Sequence, residues 1–497
     1  MASRTSSSLR LLRRAIPVVV AATLVGTGAL SPAASAGDPI LEARAQTLSD
    51  RAMAGFERQV ETGLPTELVG FEWQGETEGA VEVRARQGRQ WGPWMLAEGD
   101  PDEGPDRDSP EFRGRTTAGP VWVGHKVSQV QVRVKQGPLE GLKLHAIRSE
   151  DAPDPRGTIK GAGAIVSMPG IVSRAGWGAD ESFRSFAPGC TGNPEYAGVV
   201  RNAIVHHTDT SNTYGPADSA AAIRGIYYFH THTKGWCDIG YNLLVDRFGQ
   251  AFEGRAGGID RAVVGAHALG FNRESTGVAV MGSFSTSTVP DAAISGLQRL
   301  LNWKLALHGI DPRAQLTVGD RTIPTIAGHR DVGSTECPGG SLHAKLGAIR
   351  DQAAVAVRPD RVQSMNSGKQ LDVAGASTAD GARTLQWPLN GGANQRWRVV
   401  GVPGGAFMIV SVHSGKVLDV EGGSLADGAR IIQWPWNGGA NQRWRLEPAA
   451  DGAVRVTSVA SGKVMDVAGA SLSDGAPIIQ WPSNGGLNQQ WKLIPAS

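Results

Sequence analysis

A period of 47 residues governs the last part of the chain. Asp372, Asp419 and Asp466 fall 47 apart, and so do Trp397, Trp444 and Trp491. Each unit reads SGK-x-x-DV, then DGA, QWP, NGG and NQ-[RQ]-W. Three copies at a fixed period, each too small to bury a core alone, must pack on one another. Turn signals recur about every ten residues and no helical periodicity runs through them. The unit is therefore expected to be all-β, with three lobes and pseudo-threefold symmetry. Seven of the fourteen tryptophans lie in it. The three repeats carry their own core, so residues 360–497 are expected to fold alone.

The other end reads as an export signal. Arg4, Arg10, Arg13 and Arg14 precede an apolar run, Ala15 to Leu30, and an A-x-A cleavage site follows at Ala34-Ser35-Ala36. The run is 16 residues long, short of the roughly 20 needed to span a bilayer. Residues 1–36 are thus expected to leave, giving a secreted, extracellular or wall-located protein with no membrane segment. Their loss leaves 45 basic against 47 acidic residues, which speaks against a nucleic-acid partner. Hydrophobic residues at 40% against charged residues at 19% argue for folded domains. A monomer is expected.

Residues 37–160 should form an all-β, sandwich-like domain. In Ser128–Lys135, Val130, Val132 and Val134 alternate with polar residues, as in a half-buried strand. Residues 40 to 60 have the mixed spacing of a short helix. Gly99 to Glu111 is a loop with six acids and one arginine. Such runs form solvated surface, and that is the expectation here rather than a calcium site. Glu150 to Gly170, rich in Gly, Pro and Asp, reads as a linker.

Residues 171–355 hold eight of the eleven histidines. Ile223, Ile226, Tyr227 and His230 set an amphipathic helix over Asp218 to His232. Ile294, Leu297, Leu301 and Leu305 set a second, opened near Pro290 and closed by Gly309. Leu342, Leu346 and Ile349 suggest a third. Apolar runs at Val199–Val205, Tyr241–Asp246 and Gly277–Met281 lie between them as strands, which makes this an α/β domain with a sheet and helices. His206, in Val205-His206-His207-Thr208, and His329 and Cys337, in GHRDVGSTECPGG, are a set of imidazoles and thiol that suits a catalytic zinc with one open position. Spacing alone leaves open that each is a core residue.

Several long motifs in order carry a resemblance that decides between these: SRAGWGADES, IVHHTDT, GWCDIGYNLLVDRFGQAFEGRAGG, GAHALGFN and GHRDVGSTECPGG. Residues 171–350 resemble the peptidoglycan recognition proteins and type-2 N-acetylmuramoyl-L-alanine amidases. The resemblance implies one Zn2+ held by His206, His329 and Cys337, with His207 left for substrate. Binding-only members often have serine for that cysteine. Tyr241 matches a tyrosine that hydrogen-bonds near the zinc-bound water. Thr335 stands where phage-type relatives have lysine and many recognition proteins threonine, so the proton donor stays open. Trp236, in the Gly-Trp pair, and Arg255 match residues of members preferring meso-diaminopimelic acid in the stem peptide. Cys190 precedes the first strand and Cys237 lies in the substrate-facing motif. A disulfide between them is expected in an exported chain, two free buried thiols being the alternative.

Residues 360–497 resemble the ricin-type β-trefoil lectins, whose repeats end in Q-x-W. The resemblance implies sugar sites made of an Asp, a Trp platform and an Asn-Gln pair. They map to Asp372, Trp387, Asn394 and Gln395; to Asp419, Trp434, Asn441 and Gln442; and to Asp466, Trp481, Asn488 and Gln489. Trp397, Trp444 and Trp491 are expected in the core, and no repeat cysteines brace the lobes. Residues 37–160 have only a general likeness to β domains that precede amidase domains in exported actinobacterial proteins, and their role is open. The whole reads as a zinc amidase that cuts between N-acetylmuramic acid and L-alanine and binds peptidoglycan and cell-surface polysaccharide. A non-catalytic receptor with the same folds is the alternative.

Overall fold

A computed structural model describes residues 40–150, 158–159, 166–356 and 359–496. The export signal expected at 1–36 lies outside them. The first domain is all-β, with strands β1 (Ile40–Ala52), β2 (Glu57–Trp73), β3 (Gly79–Gln87), β4 (Gln90–Trp91), β5 (Met95–Gly99), β6 (Thr116–Gln136) and β7 (Leu139–Glu150). They pair in the order β1-β7-β2-β6-β5-β3-β4. Alternation sets the faces: Val130, Val132 and Val134 of β6 are buried while Gln129, Gln131 and Arg133 point outward. The short helix expected over residues 40–60 is instead strand β1, which pairs antiparallel with β7 from Ile40↔Glu150 to Ala52↔Leu139. Its weak apolar spacing fits either structure, and the open edge of β7 decides.

The second domain carries β8 (Thr158–Ile159), β9 (Ile171–Val172), β10 (Asn202–His207), β11 (Leu243–Val245), β12 (Ala251–Glu253), β13 (Ser275–Val280), β14 (Gln315–Val318), β15 (Arg321–Pro324) and β16 (Ile326–Gly328). Its mixed sheet runs β16-β10-β13-β11-β12-β9-β8, with β16, β10, β13 and β11 parallel to one another. The helices are α1 (Arg174–Trp177), α2 (Ser219–Tyr228), α3 (Asp291–Leu307), α4 (Gly340–His343) and α5 (Leu346–Ala356). α2 stops short of the expected His232 and widens into a π-turn, Phe229–Lys234. The Thr231 hydroxyl donates to the Tyr227 carbonyl at 2.9 Å and competes with the helical ladder. Gly235, at φ 75°, then ends the turn.

Apolar cores cross both domain junctions. Leu68, Trp122 and Ile147 of the first domain share a cluster with Ile223, Ile226 and Tyr227 of α2. Gly225 makes the approach possible, since a Cβ there would sit 2.5 Å from Leu68 Cδ1. On the far side Leu297, Leu301 and Trp303 of α3 share a cluster with Val400, Val402, Met408 and Val417 of the third domain. Trp303 Nε1 also donates to the Gly401 carbonyl at 2.8 Å.

The third domain has twelve strands around a core that includes Trp397, Trp444 and Trp491, all fully buried. The repeated motif residues join each lobe to the next. Gln386, Gln433 and Gln480, from QWP, each donate to two backbone carbonyls of a neighbouring lobe at 2.8–2.9 Å. Each accepts from the serine of its own SGK at 2.6–2.7 Å. The SGK lysines pair with the DGA aspartates of a neighbouring lobe, as in Lys416–Asp380 at 3.2 Å.

Candidate active site

Parallel pairing brings two histidines together. β10 and β16 run side by side in the register Val205↔Gly328, so the next residues, His206 still within β10 and His329 just beyond β16, stand as neighbours with ring centroids 4.6 Å apart. The loop after His329 folds back: Arg330 N–H donates to the Cys337 carbonyl at 2.8 Å. Cys337 Sγ then lies 3.6 Å from His206 Nδ1. The ligand atoms of His206, His329 and Cys337 are all within 4.8 Å of one another, and all three residues are buried.

These residues fit a zinc ion. Neither ring nitrogen of buried His329 makes a hydrogen bond; the Asp100 carboxylate lies 3.4 Å from Nδ1, and the imidazole stays poorly satisfied unless something binds there. Burial pushes the Cys337 thiol well up, so a cation is needed to make it a thiolate. Burial likewise holds His206 neutral, the form that ligates. His206 Nε2 is 3.0 Å from His267 Nδ1, and His267 Nε2 is 3.3 Å from Ser275 Oγ, which donates to the Phe271 carbonyl at 2.6 Å. One consistent assignment runs through this relay: His206 donates from Nε2 and keeps Nδ1 free for metal. His267 was missed by reading the motifs, although it stands in GAHALGFN.

Of the remaining expected site residues, His207, Tyr241 and Thr335 line the cavity of the cluster, while Trp236 and Arg255 line two other cavities. His207 faces the same cavity as His329, Thr335, Tyr241 and Cys337 and is held neutral, near pKa 3, by burial. Tyr241, its ring 5.4 Å from that of His206, donates its hydroxyl to Glu103. Thr335 Oγ1 accepts from Cys337 N–H at 3.1 Å. Trp236 is buried against His230, with centroids 4.6 Å apart. Arg255 is partly buried and pairs with Glu111. Cys190 and Cys237 are bridged, their Cα atoms 5.2 Å apart.

Here the solvated surface expected for Gly99–Glu111 is overturned. Five of its six acids turn onto the second domain. Asp100 Oδ2 is 3.4 Å from His329 Nδ1, and Asp102 accepts from Ser334 N–H at 2.6 Å. Glu103 pairs with Lys234 as well as Tyr241. Asp106 accepts from Gly270 N–H and Asn272 Nδ2, each at 2.7 Å. Glu111 accepts from Cys237 N–H at 2.9 Å and from Arg255. Burial pushes the Glu103 carboxyl up, but Lys234, His230 and the Tyr241 hydrogen bond outweigh it and hold the group near 2. The partners of these acids lie more than a hundred residues away in sequence, so a local reading had no signal for them.

In the third domain Trp387, Trp434 and Trp481 are exposed, each about 40%. Beside them Gln395, Gln442 and Gln489 are fully buried and donate to Asp372, Asp419 and Asp466 at 2.9, 2.8 and 2.7 Å. These glutamines orient the aspartates. Asn394 and Asn441 donate to the carbonyls of Val373 and Val420, and Asn488 also to Asp466.

Three family models match the chain. Residues 196–340 match N-acetylmuramoyl-L-alanine amidase. Segments 360–434, 394–481 and 440–497 match the ricin-type beta-trefoil lectin domain-like family, and residues 29–158 match the Rv3811 N-terminal galactose-binding domain-like family. Peptidoglycan-recognition protein SC2 of Drosophila simulans is 32% identical over 172 residues, 35% of this chain and 82% of the relative. Peptidoglycan recognition protein 1 of Bos taurus is 31% identical over 184 residues, 37% and 85%. Among solved structures, Drosophila PGRP-LB is 29% identical and covers 36% of this chain and 92% of its own, with a TM-score of 0.29. The designed three-fold symmetric protein ThreeFoil is 48% identical over 27% and 97%, with a TM-score of 0.27. The chain belongs to the peptidoglycan recognition protein and N-acetylmuramoyl-L-alanine amidase family, with a galactose-binding-like β domain before that unit and a ricin-type β-trefoil after it.

Proposed function

We propose that the chain is an exported, zinc-dependent hydrolase of the amide bond between N-acetylmuramic acid and L-alanine in peptidoglycan, with a carbohydrate-binding C-terminal domain. One observation supports this above the rest: His206, His329 and Cys337 converge, and His329 keeps both buried nitrogens free of hydrogen bonds. The relatives' names, which speak of peptidoglycan recognition, fit the same polymer. Zinc, when bound, supplies a Lewis acid that makes hydroxide available near neutral pH and polarises a carbonyl.

The other parts belong to the chain. The lactyl carbonyl oxygen gains charge as its carbon is attacked, and the Tyr241 hydroxyl donates to it. Burial raises the pKa of that hydroxyl well above its usual value, so it remains a donor throughout the neutral range. Thr335 holds the Cys337 backbone and stands beside the proton path to the leaving amine of L-alanine. Trp236 and Arg255 receive the third stem residue, where a guanidinium suits the extra carboxylate of meso-diaminopimelic acid. Trp387, Trp434 and Trp481 stack on sugar rings while the neighbouring Asp and Asn side chains hydrogen-bond hydroxyls. Among the described residues no helix is long and apolar enough to cross a membrane.

The deciding experiment is mass spectrometry of peptidoglycan digested by the purified, zinc-loaded protein, with and without a strong chelator. Stem peptides bearing a free L-alanine amino group, absent under chelation, are expected. Bound zinc with no released peptide would leave a second reading, a non-catalytic receptor for the same polymer.

A further inference from the structure

We propose that the Gly99–Glu111 loop of the first domain occupies the stem-peptide groove as a tethered, carboxylate-bearing stand-in for substrate, and that the enzyme is latent until the loop is displaced. The inference rests on the amidase reading for what the groove receives. The occupation itself is geometric.

Three of the groups assigned to substrate, Arg255, Tyr241 and Trp236, already have a partner from this loop. Arg255, suited to a stem-peptide carboxylate, holds the carboxylate of Glu111. The Tyr241 hydroxyl, needed at the scissile carbonyl, is spent on Glu103, and Lys234 neutralises the same carboxylate. Trp236 is covered by Gly104, where an added Cβ would lie 3.1 Å from the indole. At the metal ligands Asp100 brings a further negative charge, 3.4 Å from His329 Nδ1. The loop also binds as a peptide would, through backbone: the Asp102 carbonyl accepts from Leu269 N–H at 2.9 Å and the Gly104 carbonyl from Asn272 Nδ2 at 2.8 Å. A stem peptide rich in carboxylates and amides would meet the same donors.

The loop can leave without the domains parting. The body of the first domain is held by apolar packing of Leu68, Trp122 and Ile147 on α2. The loop's acids are held by hydrogen bonds and ion pairs, which water and a competing carboxylate can replace. The connection from β5 to β6 spans residues 100–115, beyond the roughly 12–15 residues at which structureless connections become uncommon and are usually functional. Tethering gives the loop an effective concentration of about millimolar order, so a single soluble fragment competes poorly. A polymer held on the sugar sites of the third domain competes better.

The test uses the full chain and a ligand that the amidase cannot cleave, the free tripeptide L-alanyl-D-glutamyl-meso-diaminopimelate. Its affinity is measured by calorimetry for the parent, for Glu103→Gln/Glu111→Gln, and for a chain with residues 100–111 replaced by Gly and Ser at equal length. If the groove is open only a small fraction of the time, opening it tightens apparent binding by the inverse of that fraction. A gain of about tenfold or more is expected in both variants. In the unaltered chain, cleavage after Glu103 and Glu111 by a glutamate-specific protease should accelerate when the tripeptide saturates the groove, a readout that needs no variant to fold. Equal affinity in parent and folded variants, or proteolysis indifferent to the tripeptide, would overturn the proposal. Tighter binding without peptidoglycan cleavage in any form would keep the loop's role and remove the amidase reading instead.

Discussion

His206 can offer only one nitrogen to a metal, because His267 takes the other. Replacing His267 with Phe keeps the bulk and removes the acceptor. Zinc affinity should fall about 10–100-fold, as for other outer partners of metal-bound imidazoles, read by competition with a chelating dye. An unchanged affinity would separate the relay from the site. Tyr241→Phe should leave zinc content unchanged and cut turnover about 10²–10³-fold, the usual loss for one oxyanion donor. Full turnover in that variant would remove Tyr241 from the chemistry. Glu103 titrates in the folded chain near 2, against an ordinary 4.5. A depressed carboxyl adds stability above about 4.5 that is lost as pH falls toward 2. Thermal midpoints from pH 5 to 3 should therefore fall faster in the parent than in Glu103→Gln; parallel curves would deny Glu103 its buried pairing. The cluster of His206, His329 and Cys337 was legible because its members sit in two motifs whose chemistry is explicit. The acids of the loop were not, because a carboxylate run looks the same in sequence whether water or Lys234 and Arg255 faces it.

Among the elements, those with strong periodicity were legible and those decided by neighbours were not. The i, i+3, i+4 pattern of Ile223, Ile226 and Tyr227 marked α2, and Pro290 and Gly309 bracketed α3. The π-turn after Tyr228 depends on one threonine hydroxyl, and β1 on the open edge of β7. The 47-residue period announced three packed lobes and placed the terminal tryptophans in the core. It did not say why QWP and SGK repeat. Their glutamines form the joints between lobes, each spending two side-chain hydrogen bonds there while the serine of its own SGK holds its oxygen. Gln433→Leu should leave the Ser377 carbonyl without its Gln433 donor and the Ala379 carbonyl with the Ala382 N–H at 3.4 Å, a cost of about 1–3 kcal/mol for a carbonyl left buried and unpaired. Differential scanning should show a lower transition for the third domain with the tryptophan platforms still folded below it. No loss in that transition would mean that the joints are redundant.

At the scale of the molecule, the repeat predicts a domain that stands alone, and the structure qualifies this. The trefoil has its own core around Trp397, Trp444 and Trp491, so residues 360–497 should fold when expressed separately. Its Val400, Val402, Met408 and Val417, however, lie in one cluster with Leu297, Leu301 and Trp303 of α3. Burying such a side chain is worth about 1.5–3 kcal/mol, and separation returns several of them to water on both partners. Contiguous apolar surface of that kind drives association. The isolated trefoil should therefore show a folded β spectrum and self-associate in sedimentation, while Val402→Lys/Met408→Lys in the isolated domain should restore a monomer. Removing the trefoil should lower the melting temperature of the remaining chain, so a loss of activity on cell walls after truncation would mix instability with lost anchoring. Replacing Trp387, Trp434 and Trp481 together with Ala avoids this, because all three are exposed and none belongs to either core. That variant should keep the parent's melting temperature and its cleavage of soluble fragments. It should also lose retention on intact walls, where three modest sites on one rigid unit add roughly 10²–10⁴ in avidity. Retention equal to the parent's would show that the platforms are not the anchor.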